Sequence, residues 1–248
     1  MKRCVCTVSD GNYVEQTKFL VGALRKYGQW TADILLISNG LTEKENHGFI
    51  EKGVKILKIK PVDYNWAKVN IFHDEIKKAY DRILYMDQDM YISKSIEPLF
   101  AQEGDILSDS DAKPILREFK YGIDDKLYSE LRGIVGDNLA FCAGIIRYDS
   151  SYLPEDILTN MEAMRVRFSK INMNNGVLSE WVDQPILNVY FSGEWEQFEY
   201  ACFWGKREEK HAVCHCTNWY APWNKSGSQY PKLFEYYQDC LKYYREVL

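Results

Sequence analysis

The sequence predicts an α/β fold: a mostly parallel central sheet flanked by helices, with a less regular C-terminal part. Three observations carry this. Short apolar runs alternate with stretches of helical period over roughly the first 110 residues, and such alternation calls for a parallel sheet with helices on both faces. Acidic residues stand directly after two of the runs, at Asp10 and at Asp87/Asp89, where the carboxyl ends of parallel strands leave a ligand crevice. No repeat, low-complexity tract or linker interrupts the chain, so residues 1–248 read as a single domain.

Cys4 to Ser9 is the first strand, ending in the turn cluster Asp10-Gly11-Asn12. Leu20, Leu24 and Tyr27 are spaced along one helical face, with Gly28 as terminator. Ala32 to Ser38 is the second strand, Thr42 to Lys52 a helix, and Val54 to Ile59 the third strand. Trp66 to Tyr80 reads as one helix, and Arg82 to Met86 as a buried strand. Beyond it, Ile106 to Ser108 and Phe141 to Tyr148 are strands, while Glu155 to Phe168 and the stretch from Val182 to Phe191 are helical. The last segment, Tyr230 to Leu248, is a helix rich in aromatic rings.

Composition bounds the function classes. A net charge of −5 argues against a general nucleic-acid binder. No apolar run approaches the roughly 20 residues of a membrane-spanning helix, and the N-terminal apolar stretch is too short for a signal peptide, so a cytoplasmic protein is expected. The seven cysteines are odd in number and scattered, which does not suit a disulfide framework. Cys4/Cys6 and Cys214/Cys216 lack the two-residue gap of a zinc half-site, and in a strand a Cys-x-Cys spacing puts both thiols on one face. The tail balances Lys232, Lys242 and Arg245 with Glu235, Asp239 and Glu246, so attraction to anionic lipid is missing. Its rings are expected to dock on the protein's own core or on a second subunit as a homodimer. No Gly-x-Gly-x-x-Gly follows the first strand, which sets aside a dinucleotide oxidoreductase.

Asp87-Gln88-Asp89 is the central chemical signal. Two carboxylates two residues apart, directly after a buried strand, can converge on one divalent cation. Such a cation bridges them to a diphosphate and neutralises charge on the leaving group. Asp109-Ser110-Asp111 is a second pair of the same spacing that could compete for the metal, although an acidic loop is the commoner explanation of such a pair. A haloacid-dehalogenase-type phosphatase also places Asp-x-Asp after an apolar strand, but normally after the first strand of its fold.

Five segments in order, Ser9-Asp10-Gly11-Asn12-Tyr13, Trp66-Ala67-Lys68, Asp87-Gln88-Asp89, Phe141-Cys142-Ala143-Gly144, and Asp183-Gln184 with His215, span roughly residues 3 to 225. Together they resemble the glycogenin-like and lipooligosaccharide galactosyltransferase-like retaining glycosyltransferases of family 8, which have the GT-A fold. The resemblance implies a nucleotide-binding half over 1–110, a sugar and acceptor half over 111–225 and a helical tail over 226–248. It implies that Asp10 and Asn12 hold a uracil on which Tyr13 stacks, with Val8 and Gln88 also at the donor. Lys68 stands where the family often has an arginine reaching the donor, and keeps the charge without the bidentate fork. Cys142 stands where the family has a sugar-binding asparagine and is a much weaker donor; Ala143 and Gly144 would remain close to the sugar. Asp183 and Gln184 are the implied catalytic pair, and His215 joins Asp87 and Asp89 as the third metal ligand. That donor set suits Mn2+, with Mg2+ tolerated. The family lysine before Pro-Trp is Ala221 in this chain, and Lys225 is the candidate replacement. The expected activity is transfer of a hexose, galactose or glucose, from a UDP-sugar to a hydroxyl of a glycan, lipid-linked or protein acceptor. A nucleotide-sugar binder that has lost catalysis is the alternative, motivated by Cys142 and Ala221.

Overall fold

The computed structural model describes residues 1–119, 125–175, 183–203, 206–216, 221–223 and 231–248. Lys225 lies outside these residues. The first half follows the alternation in the sequence: β1 (Arg3–Ser9), α1 (Val14–Lys26), β2 (Asp33–Asn39), α2 (Glu43–Ile50) and β3 (Val54–Ile59). These lead through α3 (Tyr64–Ala67) and α4 (Asp74–Ala79) to β4 (Arg82–Met86). The expected single helix from Trp66 to Tyr80 is instead broken. A 3-10 turn over Lys68–Phe72 separates α3 from α4, and the His73 side chain starts α4 by accepting from the Glu75 N–H. The break lets Val69, Ile71 and Phe72 all enter the core, which a continuous helix with one buried stripe would not allow.

The second half comprises β5 (Met90–Ile92), α5 (Glu97–Ala101), β6 (Ile106–Pro114), α6 (Asp125–Val135), β7 (Leu139–Asp149), α7 (Ile157–Asn175) and α8 (Asp183–Tyr190), then β8 (Glu196–Gln197), β9 (Ala201–Phe203), β10 (Val213–His215) and α9 (Pro231–Glu246). The main sheet has the order β3-β2-β1-β4-β7-β6-β8. The first four strands are parallel, and β7 runs antiparallel to both β4 and β6. A second, three-stranded sheet has the order β5-β10-β9.

Both faces of the main sheet are covered. Cys4, Cys6 and Val8 of β1 join one apolar cluster and Val5 the other, the period-2 alternation of a strand buried on both sides. Cys4 and Cys6 therefore share a face as expected, and the seven cysteines are free and buried.

The aromatic tail docks on its own chain. Helix α9 buries Leu233, Tyr236, Tyr237, Cys240, Leu241 and Tyr244, with Phe19 of α1 against the rings of Tyr236 and Tyr237. The Tyr236 hydroxyl accepts from the Ile92 N–H at 3.0 Å and donates to the Ile92 carbonyl at 2.9 Å, so the tail holds β5 in place. Gly22 makes this docking possible, because a Cβ there would sit 2.3 Å from the Cys240 carbonyl oxygen. Gly22→Ala is expected to cost about 1–3 kcal/mol by overpacking, read as a lower urea midpoint with an unchanged slope. Among the described residues, no helix is long and apolar enough to cross a membrane.

Candidate metal and donor site

Three chain segments meet at the carboxyl edge of β4. Asp87 follows the last residue of β4, and its N–H donates to the Gly144 carbonyl at 2.8 Å, which ties it to β7. Asp89 precedes β5, and its carbonyl accepts from the Cys216 N–H at 2.9 Å, just past β10. His215 ends β10 and pairs with Met90 across the small sheet. Asp87, Asp89 and His215 each offer one ligand atom, and these atoms lie within 4.8 Å of one another.

The group fits a divalent cation on a second ground. Asp89 Oδ1 is buried and has His215 Nε2 3.0 Å away as its charged partner. Two carboxylates and an imidazole drawn together in this way are a donor set that suits a divalent cation, which would take the place of the imidazole's proton. Burial raises the Asp87 carboxyl pKa, and Asp89 adds to the rise while Lys68 opposes it. His215 opposes the rise as well, so the two carboxylates are balanced here by the Lys68 ammonium and by an imidazole that Asp89 helps to keep protonated.

His215 is held on three sides. Cys142 Sγ lies 3.1 Å from Nδ1, Phe203 stacks on the ring at 5.6 Å between centroids, and Gly144 leaves the space the ring fills. A Cβ on Gly144 would lie 2.3 Å from His215 Cε1. The close approach anticipated at Gly144 is thus made by the imidazole. Cys142 likewise turns its sulfur to His215, the second contact that orients a metal-binding ring.

Lys68 lies partly buried between two carboxylates, 2.8 Å from Asp183 Oδ2 and 3.3 Å from Asp87 Oδ2. Burial works against its charge, but Asp183 and then Asp87 outweigh burial and raise the ammonium pKa. Gln184 Oε1 accepts from the Ala143 N–H at 3.0 Å. Its Nε2 donates to Glu118 at 2.6 Å and stands 3.3 Å from Asp111 Oδ2.

A cavity of about 310 Å³ opens over this floor and is lined by Val8, Tyr13, Lys68, Asp87, Asp89 and Asp183 among others. Tyr13 stacks on Tyr64 with centroids 4.3 Å apart. Asp10 Oδ1 accepts from the Asn12 N–H at 2.8 Å, a turn of its own rather than a cap on α1, which has no side-chain cap. Asn12 is exposed. Gln88 is almost fully buried: its amide donates to the Val8 carbonyl and accepts from the Tyr64 hydroxyl. Both ends of that amide are thus engaged by the protein itself. Ala221 and Trp223 line the cavity, and among the described lining residues Lys68 carries the positive charge. The second acidic pair is not an acidic loop. Asp109 and Asp111 lie on β6 across irregular register, with Asp111 paired to Lys113 at 2.6 Å, and they stand outside the metal group. The sequence reading missed Tyr64, although it sits one helical turn before Lys68. It also missed Glu118, which belongs to no motif.

No family model matches the chain, and no curated relative does. Solved structures do. A galactosyltransferase, LgtC, in complex with donor and acceptor sugar analogues, superposes with a TM-score of 0.69 at 14% identity, over 96% of this chain and 95% of that one. The chain has the GT-A fold. The bifunctional glycosyltransferase WbbM matches at 0.65 and 15% identity, over 99% of this chain and 50% of its own. The glycosyltransferase GlyE of Streptococcus pneumoniae matches at 0.63 and 15%, over 98% and 62%. In this GT-A chain the metal group, Lys68 and Gln184 all stand at the carboxyl edge of the sheet, where open α/β folds bind ligands.

Proposed function

We propose that the protein is a metal-dependent, retaining glycosyltransferase that moves a hexose, galactose or glucose, from a UDP-sugar to an acceptor hydroxyl on a glycan, a lipid-linked sugar or a protein. The observation that carries this reading is the approach of Asp87, Asp89 and His215 to one another in a GT-A fold, with Asp87, Asp89 and Lys68 on the floor of one cavity. LgtC, a galactosyltransferase similar in fold over nearly the whole chain, supports galactose as the first sugar to test.

Asp87, Asp89 and His215 would hold the cation, Mn2+ in preference to Mg2+ for a mixed carboxylate and imidazole set. When bound, it supplies Lewis-acid stabilisation of the departing diphosphate. Lys68 adds a fixed ammonium beside the leaving group, and its two carboxylate partners keep it charged. Tyr13 offers a ring face for the base, and Asp10 and Asn12 lie beside it. Gln184 presents its amide to the sugar carbon that develops positive charge, and Asp183 anchors Lys68 while adding negative charge nearby. The departing phosphate oxygen takes the acceptor's proton. Retention of anomeric configuration rests on the family resemblance.

The test is a panel of nucleotide sugars with and without Mn2+, read by thermal shift and by slow hydrolysis of the donor. A Mn2+-dependent rise in melting temperature with a UDP-hexose, together with UDP release, is expected. Binding without turnover against any acceptor or water would favour a catalytically impaired binder, and no binding by any member would overturn the proposal. Product anomers read by NMR separately check retention.

A further inference from the structure

Glu118 stands in the 3-10 turn over Ile115–Phe119 that follows β6. One carboxyl oxygen accepts from Gln184 Nε2 at 2.6 Å and the other from Asn188 Nδ2 at 3.1 Å. These two amides are four residues apart on α8, so they share one helical face, and a single carboxylate spans them. Asn188 is fixed in turn by β7, accepting from the Phe141 N–H at 2.7 Å and donating to the Phe141 carbonyl at 3.0 Å.

The chemistry of this clamp selects one of the two orientations of the Gln184 amide. With Glu118 ionised and Asp111 close by, the NH2 must face the carboxylates, and the carbonyl oxygen must face the Ala143 N–H. Rotating the amide by half a turn would set an oxygen against two carboxylates and an NH2 against an N–H. We propose that Glu118 is a positioning residue, and that its carboxylate locks the orientation of the Gln184 amide at the reacting end of the donor site. This rests on the reading of Gln184 as the group beside the reacting sugar carbon.

Burial pushes the Glu118 carboxyl up to about 7, with Asp111 adding to the rise and Gln184, Lys113 and Asn188 opposing it. Asp111 and Lys113 come from β6, α8 presents two neutral amides, and β7 presents backbone. The carboxylate is therefore present above that pH and the lock is set. Below it, protonated Glu118 becomes a donor that also tolerates the rotated amide, and the lock is released.

The experiment uses the full chain labelled with 15N-glutamine, with the Gln184 NH2 pair assigned by its loss in Gln184→Glu. In the unsubstituted protein this pair is expected to titrate with a midpoint near 7, and Glu118→Gln is expected to abolish the titration. Hydrolysis of a UDP-hexose with Mn2+ supplies the kinetic readout. Glu118→Gln should lower kcat at pH 8 by about 10–100-fold, because small misplacements of a reacting group are costly. Its donor KM should stay within about threefold, and its kcat should lack the decline expected of the unsubstituted protein below about pH 7. A Gln184 signal that ignores pH and Glu118→Gln, or an unchanged kcat with an unchanged pH limb, overturns the proposal. If Glu118→Gln fails to fold by circular dichroism, Glu118→Asp keeps the charge one methylene short; an unchanged kcat there overturns it equally. If calorimetry detects no UDP-sugar binding, the proposed function fails, and the amide titration still decides the clamp.

Discussion

Asp89→Asn is expected to lower metal-dependent donor turnover by at least about 10²–10³-fold, the scale on which one electrostatic contact to a developing anion operates, while the apo protein keeps its melting temperature. Asp89 is the cleaner of the two acidic probes. Asp87 is part of the frame, because Lys68 pairs with it and the Tyr85 hydroxyl donates to it. Asp89 has the His215 imidazole at 3.0 Å as its partner. The asparagine amide fills the same volume but carries no charge, so the Asp89 contribution to the raised Asp87 pKa disappears. In the empty site the substitution relieves repulsion with Asp87 but also takes the charge partner from His215, so the two changes offset, while a filled site would lose a ligand. Stability and metal affinity should thus move independently. Calorimetric titration with Mn2+ and thermal denaturation without it, on the same sample, check both. A variant that binds Mn2+ like the parent would exclude Asp89 from the cation.

Much of this site could be read from the sequence because its strongest signals are local. The apolar run Arg82 to Met86 with two acids beyond it is a complete statement of a buried strand and a charged edge. The alternation of β1 to β4 is local in the same sense, since each strand and its following helix carry their own period. The Asp183-Gln184 pair could be recognised for its neighbours. What escaped depends on contacts across long stretches of chain. Cys142 and His215 meet 73 residues apart, through two strands that belong to different sheets. Glu118 reaches Gln184 across 66 residues and carries no local pattern, since a glutamate after a strand is commonplace. The antiparallel pairing of β7 between β4 and β6 was equally hidden, because strand period does not encode direction. The break at Lys68 to Phe72 escaped because period alone cannot separate one helix from two short ones that bury more residues than a single stripe.

Gly144→Ala should disrupt the proposed metal site through packing alone, without touching a proposed ligand atom. The methyl would lie 2.3 Å from Cε1 and 2.8 Å from both ring nitrogens of His215, so the imidazole must move. Its escape routes are closed: Cys142 Sγ stands at Nδ1, Phe203 covers one face, and Asp89 stands at Nε2. The alternative is a shift of β7 itself, but the Gly144 carbonyl holds the Asp87 N–H at 2.8 Å, so that motion drags a second ligand with it. Either way two of the three proposed ligands lose their mutual geometry. Metal affinity should fall by at least about 10–100-fold, the range seen when the groups supporting a metal ligand are lost, and overpacking should cost about 1–3 kcal/mol of stability. Cys142→Ser separates packing from hydrogen bonding, because it keeps a small side chain beside Nδ1 and adds no volume. It should leave stability near the parent value and weaken Mn2+ binding less than Gly144→Ala does. Mn2+ titration of both variants tests the order. Equal affinity in Gly144→Ala and the parent would mean that His215 is not a ligand, since a methyl cannot share its position with the ring.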